Sequence, residues 1–421
     1  MLFFLTLLYV ALVIVRPQEY PEFVDSVPPI LPISFVAALL AWLASSPKRF
    51  AEPQYALAGA FLLTVMMSEI ANGWSGGALQ QLSQFGPTIF AFVILANAIT
   101  TQKRVVVTMV VFVLCSAVLA VHGVEQKANG IGWTGMPLVQ EDGRIQYVGI
   151  FSDPNDLGLL FVATLPMAMY LSGRGGMLGL ARLFWLAIAG LLVYGIYLTN
   201  SRGAMLAVGA IIGVWLWLRR GLVIAAVVCG AGLAGMMMLP TRLQELDAGE
   251  ESAAGRIDAW YVGIHLFTSQ PLFGVGAGQF TEHNYLTAHN SFVLALAETG
   301  FIGFTIWLGF VVYCFRMMFA IVRYKPVLQT DEEADLWSTE SKLGMTLLLS
   351  LCGLFTAAFF LSRTYVIVLY LLAAVVVAEY AGAQNRFPDL PTFRIGRDVM
   401  RLLMTSAVGV VALFVITRVL L

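Results

Sequence analysis

The stretch Leu239–Gly303 reads LPTRLQELDAGEESAAGRIDAWYVGIHLFTSQPLFGVGAGQFTEHNYLTAHNSFVLALAETGFIG. It holds the longest run of the chain that is not plainly a membrane span, from Pro240 to His289. Three of the four histidines lie here, His265, His283 and His289, with two arginines, Arg242 and Arg256. Between Pro271 and Gly278 the segment is punctuated by proline and glycine, a turn signal. Continuous apolar runs precede and follow it. The expected arrangement is a helical scaffold in a bilayer, with this segment roofing a chamber at one membrane face.

Composition fixes the class. Hydrophobic residues make up 59% of the 421-residue chain and charged residues 12%, whereas a soluble domain carries roughly 25% charged residues. An all-α polytopic membrane protein is expected. The apolar runs are continuous rather than alternating, which excludes a transmembrane barrel. A net charge of −1 gives no basic footprint for a nucleic acid. Cys115, Cys229, Cys314 and Cys352 sit in apolar runs without C-x-x-C spacing, so they read as small core residues. The run Met1–Val15 lacks a basic leader region and reads as a first span or anchor.

A span needs about 20 apolar residues, or somewhat fewer when packed. The candidates are 1–16, 30–45, 54–71, 86–100, 104–122, 155–171, 183–199, 203–218, 221–239, 290–322, 341–361, 364–380 and 401–421. Twelve read as spans, and the last either spans or lies along the interface. The run 290–322 is long enough to tilt or protrude. With the N-terminus inside, inner loops hold 16 of the 24 Lys and Arg residues and outer segments hold 8. The positive-inside bias puts 240–289 outside, together with 16–29 and 123–154. The segment 324–341 falls inside as a solvated loop. The division is then an N-terminal bundle 1–239, an outer loop 240–289 and C-terminal helices 290–421, all within one membrane domain. Within the loop, Ile257, Trp260, Tyr261, Ile264 and Phe267 recur at helical spacing over 252–269, which predicts an amphipathic helix on the membrane surface or on the bundle.

Several outer residues suit chemistry. Arg202 opens a span in TNSRGAML (199–206), where the helix dipole favours an anion and the guanidinium fork suits a phosphate; the bland alternative is a snorkelling interfacial arginine. Arg256 either makes a second fork on the same phosphate or pairs with Asp258, Glu250 or Glu251. Arg363 is a weaker third candidate, and Arg16 and Arg144 are weaker still. His289, where the loop re-enters the membrane, is largely neutral at pH 7 given an ordinary pKa of about 6.5. It is placed either to accept a proton or to cap a helix. His283 is a candidate substrate contact; its spacing from Glu282 and His289 matches no zinc signature, so no metal site is expected. His265 reads as structural. In SDPND, Asn155 and Asp156 are candidate helix caps, and Asp153 and Asn155 are candidate acceptor contacts. Asn290 or Ser291 is placed to cap the span that follows. Glu298, an intramembrane carboxylate, lies about 180° around a helix from His289, which disfavours direct pairing. Motifs for nucleotide binding or for sugar nucleotides are absent from the sequence, which favours a donor already activated on a lipid.

TNSRGAML, GRIDAWYVGIHLFTSQPLFGVGAGQF (255–280), AHNSFVLALAETGFIG (288–303) and GIFSDPNDLGLLFVATLP (149–166) together resemble the O-antigen ligase superfamily. That group comprises O-antigen ligases, O-antigen polymerases and protein O-oligosaccharyltransferases. The resemblance covers about Gly149–Gly303; the remaining spans match only in hydropathy. It implies about twelve spans with one large periplasmic loop. It also implies an inverting glycosyltransferase of the bacterial inner membrane that works without metal or cofactor on an undecaprenyl-diphosphate-linked glycan. By position, Arg202 and Arg256 match the family's diphosphate-holding arginines, and His289 matches its essential loop histidine. Among the acceptors, lipid A–core (the ligase reaction) is the favoured expectation. A repeat unit still on the carrier is the alternative, and a protein acceptor is disfavoured because the chain ends after its last apolar run. From a different class, a transporter of lipid-linked glycan would use the arginines as an anion site and need no base.

Overall fold

The computed structural model describes residues 1–24, 26, 28–139, 142–174, 176, 179–237 and 251–421. Arg242 and Glu250, and the side chain of Glu251, lie outside the described residues. The described helices are α1 (Leu2–Val15), α2 (Ile30–Leu43), α3 (Pro53–Ala71), α4 (Ser75–Ala98), α5 (Gln102–Asn129), α6 (Pro154–Ser172), α7 (Leu180–Thr199), α8 (Arg202–Arg220), α9 (Leu222–Met237), α10 (Glu251–Ser269), α11 (Phe280–His283), α12 (Ser291–Arg323), α13 (Asp331–Ala358), α14 (Ile367–Arg386) and α15 (Ile395–Leu420). No β-strand forms among the described residues. The chain is a polytopic membrane protein: eleven of the described helices are long and apolar enough to cross a bilayer, and α2 and α9 are shorter apolar helices. Each of the thirteen apolar runs falls on a helix, because a backbone in hydrocarbon must satisfy its own hydrogen bonds.

Burial divides the bundle. In α14, 89% of the apolar window is buried, and in α6, 83%; α15 buries only 17%. The core is rich in large rings, with Trp307, Tyr313, Tyr370, Phe92 and Phe161 almost wholly enclosed. The cysteines form no disulfide; Cys115 and Cys314 are buried.

Three sequence expectations change. The segment 324–341, expected as an inner loop, is not a loop over most of its length, because α13 begins at Asp331. The cause is local. Thr330 Oγ1 accepts from the Glu333 amide (3.2 Å), Glu333 Oε2 accepts from the Gln329 amide (2.7 Å), and three carboxylates fill the first turn. This is a reciprocal cap with charges that complement the helix dipole. Second, α4 starts at Ser75, eleven residues before the apolar run. Third, α12 is not one tilted rod. Its backbone leaves helical geometry at Gly300 (φ 64°, ψ −167°).

The Pro271–Gly278 turn fills that break. The Val275 amide donates to Ala297 O (3.0 Å) and the Gly276 amide to Glu298 O (3.1 Å), while the Phe301 and Ile302 amides donate to Pro271 O (2.8 Å) and Leu272 O (3.3 Å). Groups orphaned by the break are thus paired by the turn. The turn is tied outward as well: Asn72 of α3 donates to Gly274 O (2.9 Å) and Gln81 of α4 to Ala277 O (2.7 Å). Glu298, 2% exposed, accepts from the Phe280 amide (3.3 Å) and not from His289.

The outer segments gather at one end of the bundle. Tyr147 Oη donates to Val15 O (2.8 Å) and meets Tyr20 Oη at 2.5 Å. Arg144 Nε donates to Thr199 O (2.8 Å). At the opposite end, Glu340 of α13 accepts from Gln102 of α5 (3.1 Å) and from Arg386 of α14.

A Cβ at Gly300 would overlap the Leu272 backbone, and the positive φ adds strain. Gly300→Ala should therefore cost roughly 3 kcal/mol or more and sharply reduce the yield of monodisperse protein. Gly190→Ala, where a Cβ meets nothing within 4 Å, should be neutral. Equal thermal melts for the two variants would overturn the interlock.

Candidate active site

Three helices begin, and two end, at the same place. α6 starts behind Asp153, whose Oδ1 accepts from the Asn155 amide (2.8 Å). The cap is Asp153 itself, rather than Asn155 or Asp156, because Pro154 takes the first helical position and leaves Asp153 just outside it. α8 starts behind Ser201, whose Oγ accepts from the Ala204 amide (3.3 Å). α12 starts behind Asn290, whose Oδ1 accepts from the Phe292 and Val293 amides (2.9 and 3.1 Å). Each cap leaves amides of the first turn facing outward with a positive dipole end, a ready site for an anion.

Backbone reversals set up two of these starts. Asn200 (φ 47°) and His289 (φ 47°) are left-handed, and with Arg16 they are the non-glycine residues with positive φ among the described residues. Each stands immediately before a capping residue. Asn200 turns the chain from α7 into α8 and so places Arg202 at the helix mouth. His289 turns the loop into α12. Such conformations cost energy and persist where surrounding contacts hold them. Around His289 those contacts run through Ser291, which is fully buried. Its Oγ donates to Ala358 O (2.9 Å) and Leu361 O (2.6 Å) and accepts from the Arg363 amide (2.8 Å). Thr364 Oγ1 donates to Ser291 O (2.7 Å), and Thr287 Oγ1 to Ser362 Oγ (2.9 Å). Ser291 is therefore a tie to the α13–α14 turn, and Asn290 alone is the cap.

A cleft opens where the helix ends converge. Arg202 and Arg256 both line it, with Asn155, Asn200, Ser201 and the Ala357–Leu361 end of α13. Close packing of α6 on α8 brings two of the N-termini together: a Cβ on Gly158 would stand 2.9 Å from Ala204 Cβ. Arg256 arrives on α10, whose buried face (Ile257, Trp260 and Ile264) packs on the bundle. Tyr261, expected on that face, is 47% exposed. Its 100° step from Trp260 carries it past the edge of the buried stripe. Asp258, the sequence-adjacent partner considered for Arg256, is exposed.

The weaker arginines separate. Arg144 lines the cleft beside Arg202 and Arg256. It is held by Thr199 O, by Asn155 Oδ1 (3.0 Å) and by Asp142 (3.6 Å). The sequence gives it little prominence because every one of those partners but Asp142 comes from another element. Arg363 is spoken for: its Nε and Nη2 grip both oxygens of Asp156, and Asp153 lies 4.0 Å away. Burial alone works against its charge, and the Asp156 carboxylate outweighs burial and raises its pKa above the usual value. Arg16 pairs with Glu19 next to α1. His283 is exposed on α11 and is not among the residues lining the cleft, and His265 is exposed on α10. No three His, Cys, Asp or Glu side chains converge as a metal-holding group among the described residues.

His289 is half-buried and within electrostatic reach of Arg256, although it is not itself among the residues lining the cleft. Burial first, then the positive charge of Arg256, hold its pKa below the ordinary 6.5; Asp153 opposes this and Arg363 adds to it. Burial and the Arg256 charge both favour the uncharged imidazole. The site thus combines an anion-binding cleft with an uncharged base beside it, the parts needed to hold a phosphate-bearing donor and remove a proton from a hydroxyl.

Comparison with known proteins gives partial matches. Residues 184–308 match the family model described as O-antigen ligase, and residues 1–176 match a family of unknown function. The exopolysaccharide production protein ExoQ of Rhizobium meliloti (strain 1021) is 29% identical over 202 residues, which cover 38% of this chain and 44% of that protein. The match therefore spans less than half of that relative's length. Arg202, Arg256 and His289 all fall inside the matched family segment. Through residues 184–308 the chain is similar to the family described as O-antigen ligase.

Proposed function

We propose that this chain is an inverting glycosyltransferase that moves a glycan from undecaprenyl diphosphate to lipid A–core, working at the periplasmic face of the bacterial inner membrane. The observation that carries the reading is the convergence of Arg202 and Arg256 on one cleft beside a neutral His289. Arg202 and Arg256 grip the donor diphosphate, and the N-termini of α6 and α8 share its negative charge. Charge neutralisation makes the diphosphate a good leaving group, the part a divalent cation plays in other transferases. His289 takes the proton of the acceptor hydroxyl. The acceptor oxygen then bonds to the anomeric carbon as the carbon–oxygen bond to the diphosphate breaks, and configuration inverts. The diphosphate leaves with the bonding pair. Asp153 and Asn155 flank the acceptor side, and the polyprenyl tail lies between spans.

One further observation favours a second acceptor. The ExoQ relative is named for exopolysaccharide production, and polymer growth on the carrier uses the same donor chemistry. A lipopolysaccharide gel from a deletion strain separates the two. Polymer that accumulates on the carrier above bare lipid A–core assigns the ligase reaction. A core carrying one repeat, with no ladder, assigns polymerisation. An unchanged ladder overturns both.

His289→Ala should lower turnover by about 10²–10⁴-fold without loss of fold; a mild effect would favour a transporter. Because the base acts when neutral, the rate should rise with pH and level off above the His289 pKa, which lies below 6.5. Arg256→Gln removes a cation that depresses that pKa, so the acid limb should shift to higher pH. A limb that stays in place would remove His289 from the role of base.

Lysine cannot make a two-point contact. Arg202→Lys should therefore cost roughly 1.5–3 kcal/mol in kcat/KM, and wild-type turnover should persist in EDTA. Near-normal Arg202→Lys activity, or EDTA loss reversed by a divalent cation, would overturn the two-arginine account.

A further inference from the structure

A second cavity, of about 140 Å³, lies between α10 and the end of α15. Its volume is several times the share of one water in the liquid, about 30 Å³. Tyr261, His265 and Thr268 of α10 line it, with Phe414, Thr417 and Arg418 of α15. On α10 these residues share a face, since 261, 265 and 268 recur at helical spacing. That face is turned away from the cleft: His265 follows Arg256 by nine residues, about 180° around the helix and roughly 14 Å along it.

The lining is cationic. Arg418 makes no ion pair among the described residues; its recorded partner is the Phe414 ring, with the guanidinium carbon 5.6 Å from the centroid. No carboxylate lines the cavity. Thr268 Oγ1 and Thr417 Oγ1 spend their protons on His265 O (2.9 Å) and Leu413 O (2.8 Å). The remaining donors are the Arg418 fork, the Tyr261 hydroxyl and the His265 ring, a set that suits an oxyanion. Beside the residues that line the cavity, α15 carries an exposed apolar stripe. Val411, Val415 and Val419 recur every four residues on α15 and are 61%, 50% and 78% exposed.

We propose that this cavity binds the anionic phosphate headgroup of a membrane lipid, with an acyl chain along the valine stripe of α15. A cation lining a cavity with apolar surface beside it fits an amphiphile rather than a free phosphate. The bound lipid braces the face of α10 opposite Arg256. The site is independent of what the cleft transfers.

Native mass spectrometry of the full chain, released from mild detergent, tests this with phosphatidylglycerol, lipid A and phosphatidylcholine as probes. Wild type should retain one phosphatidylglycerol or lipid A about fivefold over phosphatidylcholine, the worth of one interfacial arginine. Arg418→Gln and His265→Ala should each erase that preference, and Arg397→Gln, an exposed arginine at the other end of α15, should keep it. Retention of lipid A but not phosphatidylglycerol assigns a saccharide lipid; retention of phosphatidylglycerol assigns a bulk phospholipid. Equal retention in wild type and Arg418→Gln, or no preference over phosphatidylcholine, overturns the proposal.

Discussion

A helix broken inside a membrane exposes amides and carbonyls that hydrocarbon cannot satisfy. In this chain the break at Gly300 is closed by backbone from 24–29 residues earlier, the Pro271–Gly276 turn. Neither partner is stable without the other in that setting: the turn would carry unpaired groups, and α12 would lose its continuity. Everything between them inherits the constraint. α10 ends just before the turn and His289 follows it, so both are anchored to a fixed point in α12. Asn72 and Gln81 extend the anchor to α3 and α4, and Glu298 extends it to α11.

The cleft draws its electrostatics from the same economy of parts. Arg363 is paired with Asp156, and Arg144, Arg202 and Arg256 line one cleft with helix N-termini, Arg144 beside Asp142. Such a concentration of positive charge attracts a multivalent anion and, through Arg256, also depresses the basicity of His289. One arginine therefore acts on both halves of the proposed reaction. In the proposed reaction it would grip the leaving group and, second to burial, help to keep the neighbouring base unprotonated. A base with a lowered pKa is weaker, and the proposed good leaving group makes that tolerable.

How much of this the sequence disclosed follows from the range of the interactions involved. Hydropathy located the described membrane-spanning helices, because bilayer thickness sets their length. The motifs around Arg202, Arg256 and His289 singled out residues that the fold brings to one end of the bundle. What stayed hidden depended on partners far away in the chain. Gly300 reads as an ordinary glycine in an apolar run until the turn that fills the break is known. Arg363 reads as a candidate ligand until Asp156, 207 residues away, takes its fork. The Thr330 cap failed for a different reason. Its T-x-x-E signal is local, but the polar composition around it looks equally like a loop.

Ser291 bears on how the molecule is made. Its hydroxyl joins the start of α12 to the turn after α13, across 67 to 72 residues. A chain emerging from the ribosome has already delivered Arg144, Arg202, Arg256 and His289 to the membrane before the segment that holds the His289 turn has been synthesised. During that interval the left-handed turn lacks its ties to 358–364, and the wall of the cleft at Ala357–Leu361 does not exist. Competence is thus conferred late, by insertion of α13 and α14, and a nascent or truncated protein carries the charged residues without an assembled site. The residues proposed to hold the donor diphosphate therefore come together only when the membrane domain is nearly complete.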